Sequence, residues 1–489
     1  MPKSVLIVGG GPCGLLTAYF LAKRISSETS QYIYSKILIV ERGENLCEID
    51  PKKRQGKGNY GLVLSHRALQ ALDKVGLKED LIPKGVLYNR LQNCLSHDDL
   101  PKGLLAVTKD YKLSMDRDGV AKALIEVLKR DFGQRVTFNF SKAFVEADFQ
   151  KKIAYFIPSS MLQIPKLEVM KEDVEKIPFD ILIGADGAHS RVIDNLRREL
   201  YGVDFKQSFA SEPFISTFIP FHEFEAIGMN VHQATMYSVQ SHKKNANLVI
   251  IPSQGGLGVS LIPNCQLKNR ALGSLSPPEN SCFHTFKTPA DLEAYLTTSF
   301  LKLGSILNRY ISPLVFPSDG NMIFPRLFYV TAEASQYHHP SCPVIALGDA
   351  VHSMPPYVGQ GINAAFEDIE ALDSLLDDYG DNWDLVPERF TKVRQPQGAA
   401  VLEVNSKYVR GNFTFTFAVR LILDFFRNYL SRKLPQGWVQ PSVIQLLSQT
   451  SMPYSEILAI REQQFFKGCV LFSSPILASI GFALYRTFS

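Results

Sequence analysis

Val5-Leu6-Ile7-Val8-Gly9-Gly10-Gly11-Pro12-Cys13-Gly14 decides the fold of this chain. Val5–Val8 is a short, β-branched apolar run of the kind that forms a buried parallel strand. Gly9, Gly11 and Gly14 follow it at GxGxxG spacing, and Leu15–Arg24 continues as a helix with Leu15, Leu16, Tyr19, Phe20 and Ala22 free to pack. Ile37-Leu38-Ile39-Val40 is a second buried strand, ending at Glu41. In such a βαβ unit the first glycine permits the tight turn. The second lets backbone approach a pyrophosphate at the helix N-terminus, and the third lets helix and strand touch. An acid ending the second strand is placed to accept hydrogen bonds from ribose hydroxyls. The reading predicts a dinucleotide on Gly9, Gly11, Pro12, Cys13, Gly14, Glu41 and Arg42, without separating FAD from NAD.

A second stretch makes that separation. Pro343–Leu347 reads as another buried strand, and Gly348-Asp349-Ala350-Val351-His352 follows it. The Asp349 carboxylate therefore emerges at a strand's carboxyl end, within reach of a ribityl hydroxyl. Next come Pro355-Pro356-Tyr357-Val358, the turn Gly359-Gln360-Gly361, and a helix from Ile362 to Leu376 that carries Asn363. Glycines there let backbone amides close on a flat ring, and the helix N-terminus would favour the negative charge of a reduced flavin. Gly348, Asp349, Gly359, Gln360, Gly361, Ile362 and Asn363 are thus predicted to hold FAD.

At 489 residues the chain exceeds one ordinary domain. It is 45% hydrophobic and 20% charged, with a net charge of +4 and no clustered basic face. That composition fits a globular protein and gives no footing for nucleic acid. Lys52-Lys53-Arg54 with Lys57 reads as a solvated loop. Cys13, Cys47, Cys94, Cys265, Cys282, Cys342 and Cys469 are scattered without a CxxC pair, so neither zinc nor a disulfide framework is expected. His338-His339 reads as a surface turn, and no metal site is expected. The short apolar run at residues 5–8 leads into glycines and is not a secretory leader.

The fold class expected is α/β: a Rossmann-like FAD-binding domain of the three-layer ββα type, an inserted antiparallel-sheet substrate domain, and a C-terminal helical region. Phe214–Pro220, Ala234–Val239, Leu248–Pro252 and Leu257–Pro263 read as the inserted strands. The expected boundaries are residues 1–85, 112–205 and 340–385 for the FAD domain, 86–111 and 206–339 for the substrate domain, and 386–465 for the helical region.

Gly9–Gly14, Asp186-Gly187-Ala188-His189-Ser190 and Gly348-Asp349-Ala350-Val351-His352 resemble the three motifs of the single-component FAD aromatic hydroxylases, the p-hydroxybenzoate hydroxylase-like class. The resemblance implies an FAD- and NADPH-dependent monooxygenase that uses O2 to hydroxylate an aromatic substrate through a flavin hydroperoxide. It adds Arg67, Arg117, Asp186 and Gly187 to the cofactor-binding set. Within the class, Leu64-Ser65-His66-Arg67, Gln70-Ala71-Leu72 and Gly359–Asp368 are most similar to the kynurenine-hydroxylating branch. That branch implies L-kynurenine as substrate, with Asn363 and Tyr408 near its amino-acid end, and a catalytic part on the cytosolic side of the mitochondrial outer membrane. The chemistry belongs to the flavin, so no protein nucleophile is required; His352 and Pro356 are the candidates to tune it.

Two departures stand out. The class carries an Arg three residues after the middle motif's Ser, where this chain has Ile193, with Arg191 out of register. The Arg and Tyr that grip the kynurenine carboxylate fall on Leu91 and Leu105, leaving Arg90 and Tyr88 as the nearby candidates. Related flavoprotein activities, an epoxidase or an isoprenoid reductase, stay open, as does a membrane-tethered flavin-binding protein without turnover. Gly468–Leu484 carries no charge between Lys467 and Arg486. It approaches the about twenty apolar residues that span a bilayer, so 466–486 is read as a candidate membrane anchor. Phe413–Phe426 reads as a helix over the active site.

Overall fold

A computed structural model describes residues 2–25, 34–49, 59–94, 104–163, 173–242, 246–263, 286–317, 328–409, 427, 433, 440–461 and 463. The basic run 52–57, the aromatic stretch 413–426 and the anchor segment 466–486 lie outside them. Among the described residues no helix is long and apolar enough to cross a membrane.

The first layer is a six-stranded sheet. From one edge it runs His338–His339, Cys342–Ala346, Ile181–Gly184, Lys3–Val8, Tyr34–Glu41 and Val136–Phe140. The five strands from Cys342–Ala346 onward are parallel. His338–His339 pairs antiparallel at the edge, so it is an edge strand and not the surface turn expected. The turn chemistry was outweighed by the open edge of Cys342–Ala346, which needed backbone partners. Helices Pro12–Ile25, Arg117–Phe132 and Gly361–Asp378 pack with this sheet, as the apolar periodicity of each requires. A three-stranded meander of Lys142–Asp148, Ile153–Pro158 and Glu175–Pro178 forms a further layer, its Phe144, Ala147, Ala154 and Phe156 joining the same core.

A second, seven-stranded sheet covers one end. Its order is Ile215–Pro220, Gly256–Pro263, Ala246–Ser253, Thr235–Gln240, Val86–Cys94, Leu104–Asp116 and Gly61–Leu64. One face packs on the helix Pro289–Val315, which kinks at Phe300 and Leu301. The chain enters and leaves through the antiparallel ribbon of Phe205–Pro213 with Phe328–Ala334. Gly61–Leu64 and all of Leu104–Asp116 are bonded into this sheet, so it reaches past the expected boundaries at 85 and 112. Leu64, Leu113 and Met115 meanwhile pack in the core of the first sheet, which splices the two units into one body. Val386–Val409 and Val443–Gln449 complete the C-terminal helices.

Candidate functional site

Gly9 has φ of +112°, and a Cβ there would lie 2.3 Å from the Ala185 carbonyl oxygen. At Gly14 it would lie 2.1 Å from the Gly9 carbonyl oxygen. Both glycines are dictated by close backbone approach, which brings the loop against the Asp186 motif. Pro12 opens the helix at a position where its missing N–H costs nothing. Glu41 is clamped: Gly10 N donates to its Oε2 at 2.6 Å and Gly43 N to its Oε1 at 2.7 Å. Its carboxylate is thereby aimed at the rim with lone pairs to spare. Arg42 beside it is exposed, its carbonyl accepting from Ser159 Oγ at 2.6 Å.

Arg117 comes from the next layer. Asp116 caps its helix by accepting from Gly119 N at 2.8 Å, and the Arg117 guanidinium stands 3.6 Å from where a Gly11 Cβ would be. Its own N–H donates to the Tyr60 carbonyl at 2.9 Å. Tyr60 meets Phe214 edge-on at 6.0 Å. Burial raises the Tyr60 phenol, against the opposing pull of Arg117. Tyr60 carried no sequence signal, being a lone aromatic before a glycine.

The Asp349 carboxylate, unlike those of Glu41, Asp186 and Asp368, receives no hydrogen bond from any described residue. Burial raises its pKa, with His352 and Arg117 acting in the opposite sense. It lies 3.9 Å from the position of a Gly361 Cβ, so the carboxylate stands beside the Gly359–Gly361 turn. Gly348 and Gly359 both have φ of +64°. An acid without a partner, beside a glycine-lined turn and a nearby arginine, fits the polyol and phosphates of a flavin dinucleotide.

Other predicted residues point elsewhere. Asp186 Oδ1 accepts from Ser190 Oγ at 2.6 Å and Oδ2 from Arg191 N at 2.7 Å, which caps the helix Arg191–Glu199. Gly187 follows with φ of +79°. Ile193 is buried in the core, and Arg191 donates to the Phe144 carbonyl at 3.1 Å. Asn363 is saturated: its Oδ1 accepts from Ser65 N and Oγ at 2.8 and 2.9 Å, and its Nδ2 donates to the carbonyls of Val63 and Gly359 at 3.0 and 2.7 Å. It ties the covering sheet to the Gly359–Gly361 turn. Arg67 is fully buried, paired with Glu367, donating to the Leu447 and Met452 carbonyls, and stacked 4.3 Å over the Tyr454 ring. Tyr454 donates to Gln360 at 3.1 Å, so residues 440–461 buttress the same turn. Cys13 is held neutral by burial, Ile362 is half-buried, and Pro356 is exposed. The side chain of Tyr408 lies outside the described set.

His352 belongs to a buried ion network that the sequence did not reveal. Asp368 Oδ2 accepts from His352 Nε2 at 2.6 Å and from Gly348 N at 2.8 Å, while Oδ1 accepts from Arg394 Nε at 2.6 Å. Burial would raise the Asp368 pKa, yet His352 and Arg394 outweigh it and hold it at about 2. Burial likewise opposes the charge on His352, and Asp368 reverses the sign, raising its pKa. The only sequence signal was helical spacing: Asp368 lies one turn and a half beyond Asn363.

The covering sheet turns on a bulge between Tyr88 and Arg90. Arg90 is in register with Thr235, Gln92 with Tyr237 and Cys94 with Val239. Tyr237, Val239 and Cys94 pack in the core against the helix Pro289–Val315, so Arg90 lies on that face, its Nε buried without a partner. Leu91, in register with Met236, lies on the other face with Val249 and Ile251, all half-buried. Ile251 sits 3.2 Å from where a Gly61 Cβ would be, and Tyr88 Oη approaches Met236 Sδ at 3.7 Å. This apolar face is half-open.

The fold and the site together define an FAD-dependent monooxygenase. The family described as FAD binding domain matches residues 3–255, and the chain belongs to it. It is similar to kynurenine 3-monooxygenase of Phaeosphaeria nodorum, 25% identical over 95% of this chain and 89% of that protein. It is similar at 23% to violacein synthase of Chromobacterium violaceum, over 94% and 97% of the two chains. The fold matches a solved variant of 2-methyl-3-hydroxypyridine-5-carboxylic acid oxygenase, with TM-score 0.61 and 16% identity over 92% of this chain and 97% of that one.

Proposed function

We propose that this protein is an FAD- and NADPH-dependent hydroxylase of an aromatic substrate, with L-kynurenine the first substrate to test. The observation that carries the reading is the partnerless Asp349 carboxylate on a rim shared with the glycine loop, Glu41 and Arg117. The similarity to kynurenine 3-monooxygenases over nearly the whole chain supports the substrate. When bound, FAD supplies the two-electron chemistry that activates dioxygen and delivers one oxygen atom to the ring.

The protein's part is to bind, orient and exclude water. Glu41 would accept from the ribose hydroxyls, Arg117 would neutralise the pyrophosphate, and Asp349 would accept from the ribityl chain. The amides of Gly359–Gly361, at the head of the helix Gly361–Asp378, would face the ring and favour its negative form. Leu91, Met236, Val249 and Ile251 would wall the substrate, with Tyr88 at the edge. In this reading residues 1–85, 112–205 and 340–385 serve FAD apart from the strands Gly61–Leu64 and Lys112–Asp116, which with 86–111 and 206–339 cover the substrate, and Gly468–Leu484 tethers the enzyme to a membrane.

The test is NADPH consumption by the purified yellow protein with and without L-kynurenine, with the product analysed by mass. Substrate-stimulated consumption and a product one oxygen atom heavier are expected. FAD bound without stimulation by any of a panel of aromatic acids would overturn the reading.

A further inference from the structure

On the half-open apolar face of the covering sheet, one cation has no partner among the described residues. Lys112 is the cross-strand neighbour of Tyr88, and facing residues of an antiparallel pair lie on one face. Tyr88 reaches Met236, which places Tyr88 and Lys112 on the face of Leu91, Met236, Val249 and Ile251. Lys112 is half-buried, and among the described residues it makes no hydrogen bond or ion pair. Burial holds its ammonium below the ordinary lysine value, and no neighbouring charge offsets that. An interior cation without a counter-ion is costly. Other interior cations near the site are paired: Arg67 with Glu367, and Arg394 with Asp368. Arg90 lies on the opposite face.

We propose that Lys112, with the Tyr88 phenol beside it, binds the anionic end of the aromatic substrate and selects for acids over the corresponding neutral or amine compounds. The bulge between Tyr88 and Arg90 explains why the cation comes from the neighbouring strand. It turns Leu91 into the pocket and Arg90 out of it, leaving the face without a cation from Val86–Cys94. This inference rests on the hydroxylase reading.

The experiment titrates the FAD-loaded protein with L-kynurenine and with kynuramine, which keeps the ring and lacks the carboxylate, following the flavin absorbance. The wild type should bind the acid about tenfold or more tightly than the amine, the worth of one hydrogen bond between charged groups. In Lys112→Met that gap should close, and Lys112→Arg should keep it. Equal wild-type affinity for the two compounds overturns the proposal without any variant, which covers the case that Lys112→Met fails to fold. A gap that survives in Lys112→Met overturns it as well. If neither compound, nor any other matched pair of aromatic acid and decarboxylated analogue, perturbs a fully loaded flavin, the hydroxylase reading fails first and this inference with it.

Discussion

Replacing Asp368 by Asn tests how the turn at Gly348 is held. The carboxylate accepts from His352, Gly348 and Arg394, and the amide retains its volume but not its charge. Arg394 would then be a buried cation with only Glu367, 3.8 Å away, as a counter-charge. Breaking such a pair from one side costs about 3–5 kcal/mol. Independently, the fall of the Asp368 pKa from 3.8 to about 2 corresponds to about 2 kcal/mol of native-state preference. Both lead to a drop in melting temperature of several degrees.

The pH dependence carries a sign. The depressed Asp368 pKa gives stability that is present above 3.8 and lost as pH falls through about 2. The raised His352 pKa gives stability that is fully present below 6.5 and lost as pH rises through its folded value. The gap between wild type and Asp368→Asn should therefore be widest between those two limits and narrow toward alkaline pH. Thermal unfolding across pH, followed by circular dichroism and by release of flavin fluorescence, measures it. Combined with Arg394→Met, the double variant should cost less than the sum of the single ones. Additive costs, or a melting temperature for Asp368→Asn equal to wild type at pH 5, would refute the network.

Asp349→Ala should fold with wild-type stability, since no described residue bonds to that carboxylate, yet purify with little flavin absorbance; a full flavin spectrum would sink its assigned role. Glu41→Gln weakens two charge-assisted hydrogen bonds to Gly10 and Gly43 and should raise the FAD dissociation constant about tenfold, read by titrating the apoprotein. Gly14→Ala pushes a methyl to 2.1 Å from the Gly9 carbonyl oxygen and should cost about 3 kcal/mol or more in thermal stability, whether or not FAD is added.

The cofactor half of the molecule was legible because its sequence rules are backbone rules. Gly9, Gly14 and Gly348 stand where φ is positive or another chain atom lies within reach of a Cβ. Such constraints admit one residue type, so they show in the text. Glu41 was legible for a related reason: a strand end fixes where its side chain emerges. The buried network was not legible, because Asp368, Arg394 and Glu367 look like ordinary helix charges until the helices Gly361–Asp378 and Val386–Val409 are brought together. Arg67 illustrates the cost of reading by position alone: its partners, Leu447, Met452 and Tyr454, are supplied by a segment nearly four hundred residues later.

The substrate half depends on register, and register depends on one bulge. With a period of two, an odd offset exchanges every side chain beyond it between faces, and here two residues of Val86–Cys94, from Tyr88 to Arg90, span five of Leu104–Asp116, from Lys112 to Val107. Read without the bulge, Tyr88 and Arg90 share a face and Leu91 does not. With it, Tyr88 and Leu91 share the substrate face, and Arg90 joins the core behind the sheet. No local sequence feature announces the bulge, since neither Tyr88-Asn89-Arg90 nor the longer facing stretch Thr108-Lys109-Asp110-Tyr111 contains a glycine. Its anchor is the exchange between Asn89 and Thr108, in which Asn89 Nδ2 donates to the Thr108 carbonyl at 3.1 Å and Thr108 Oγ1 to the Asn89 carbonyl at 3.2 Å. That pairing is long-range in the chain and local in the sheet. The identity of the substrate-facing cation is therefore a property of how two strands meet, which is why it falls to Lys112, a residue that no motif marks.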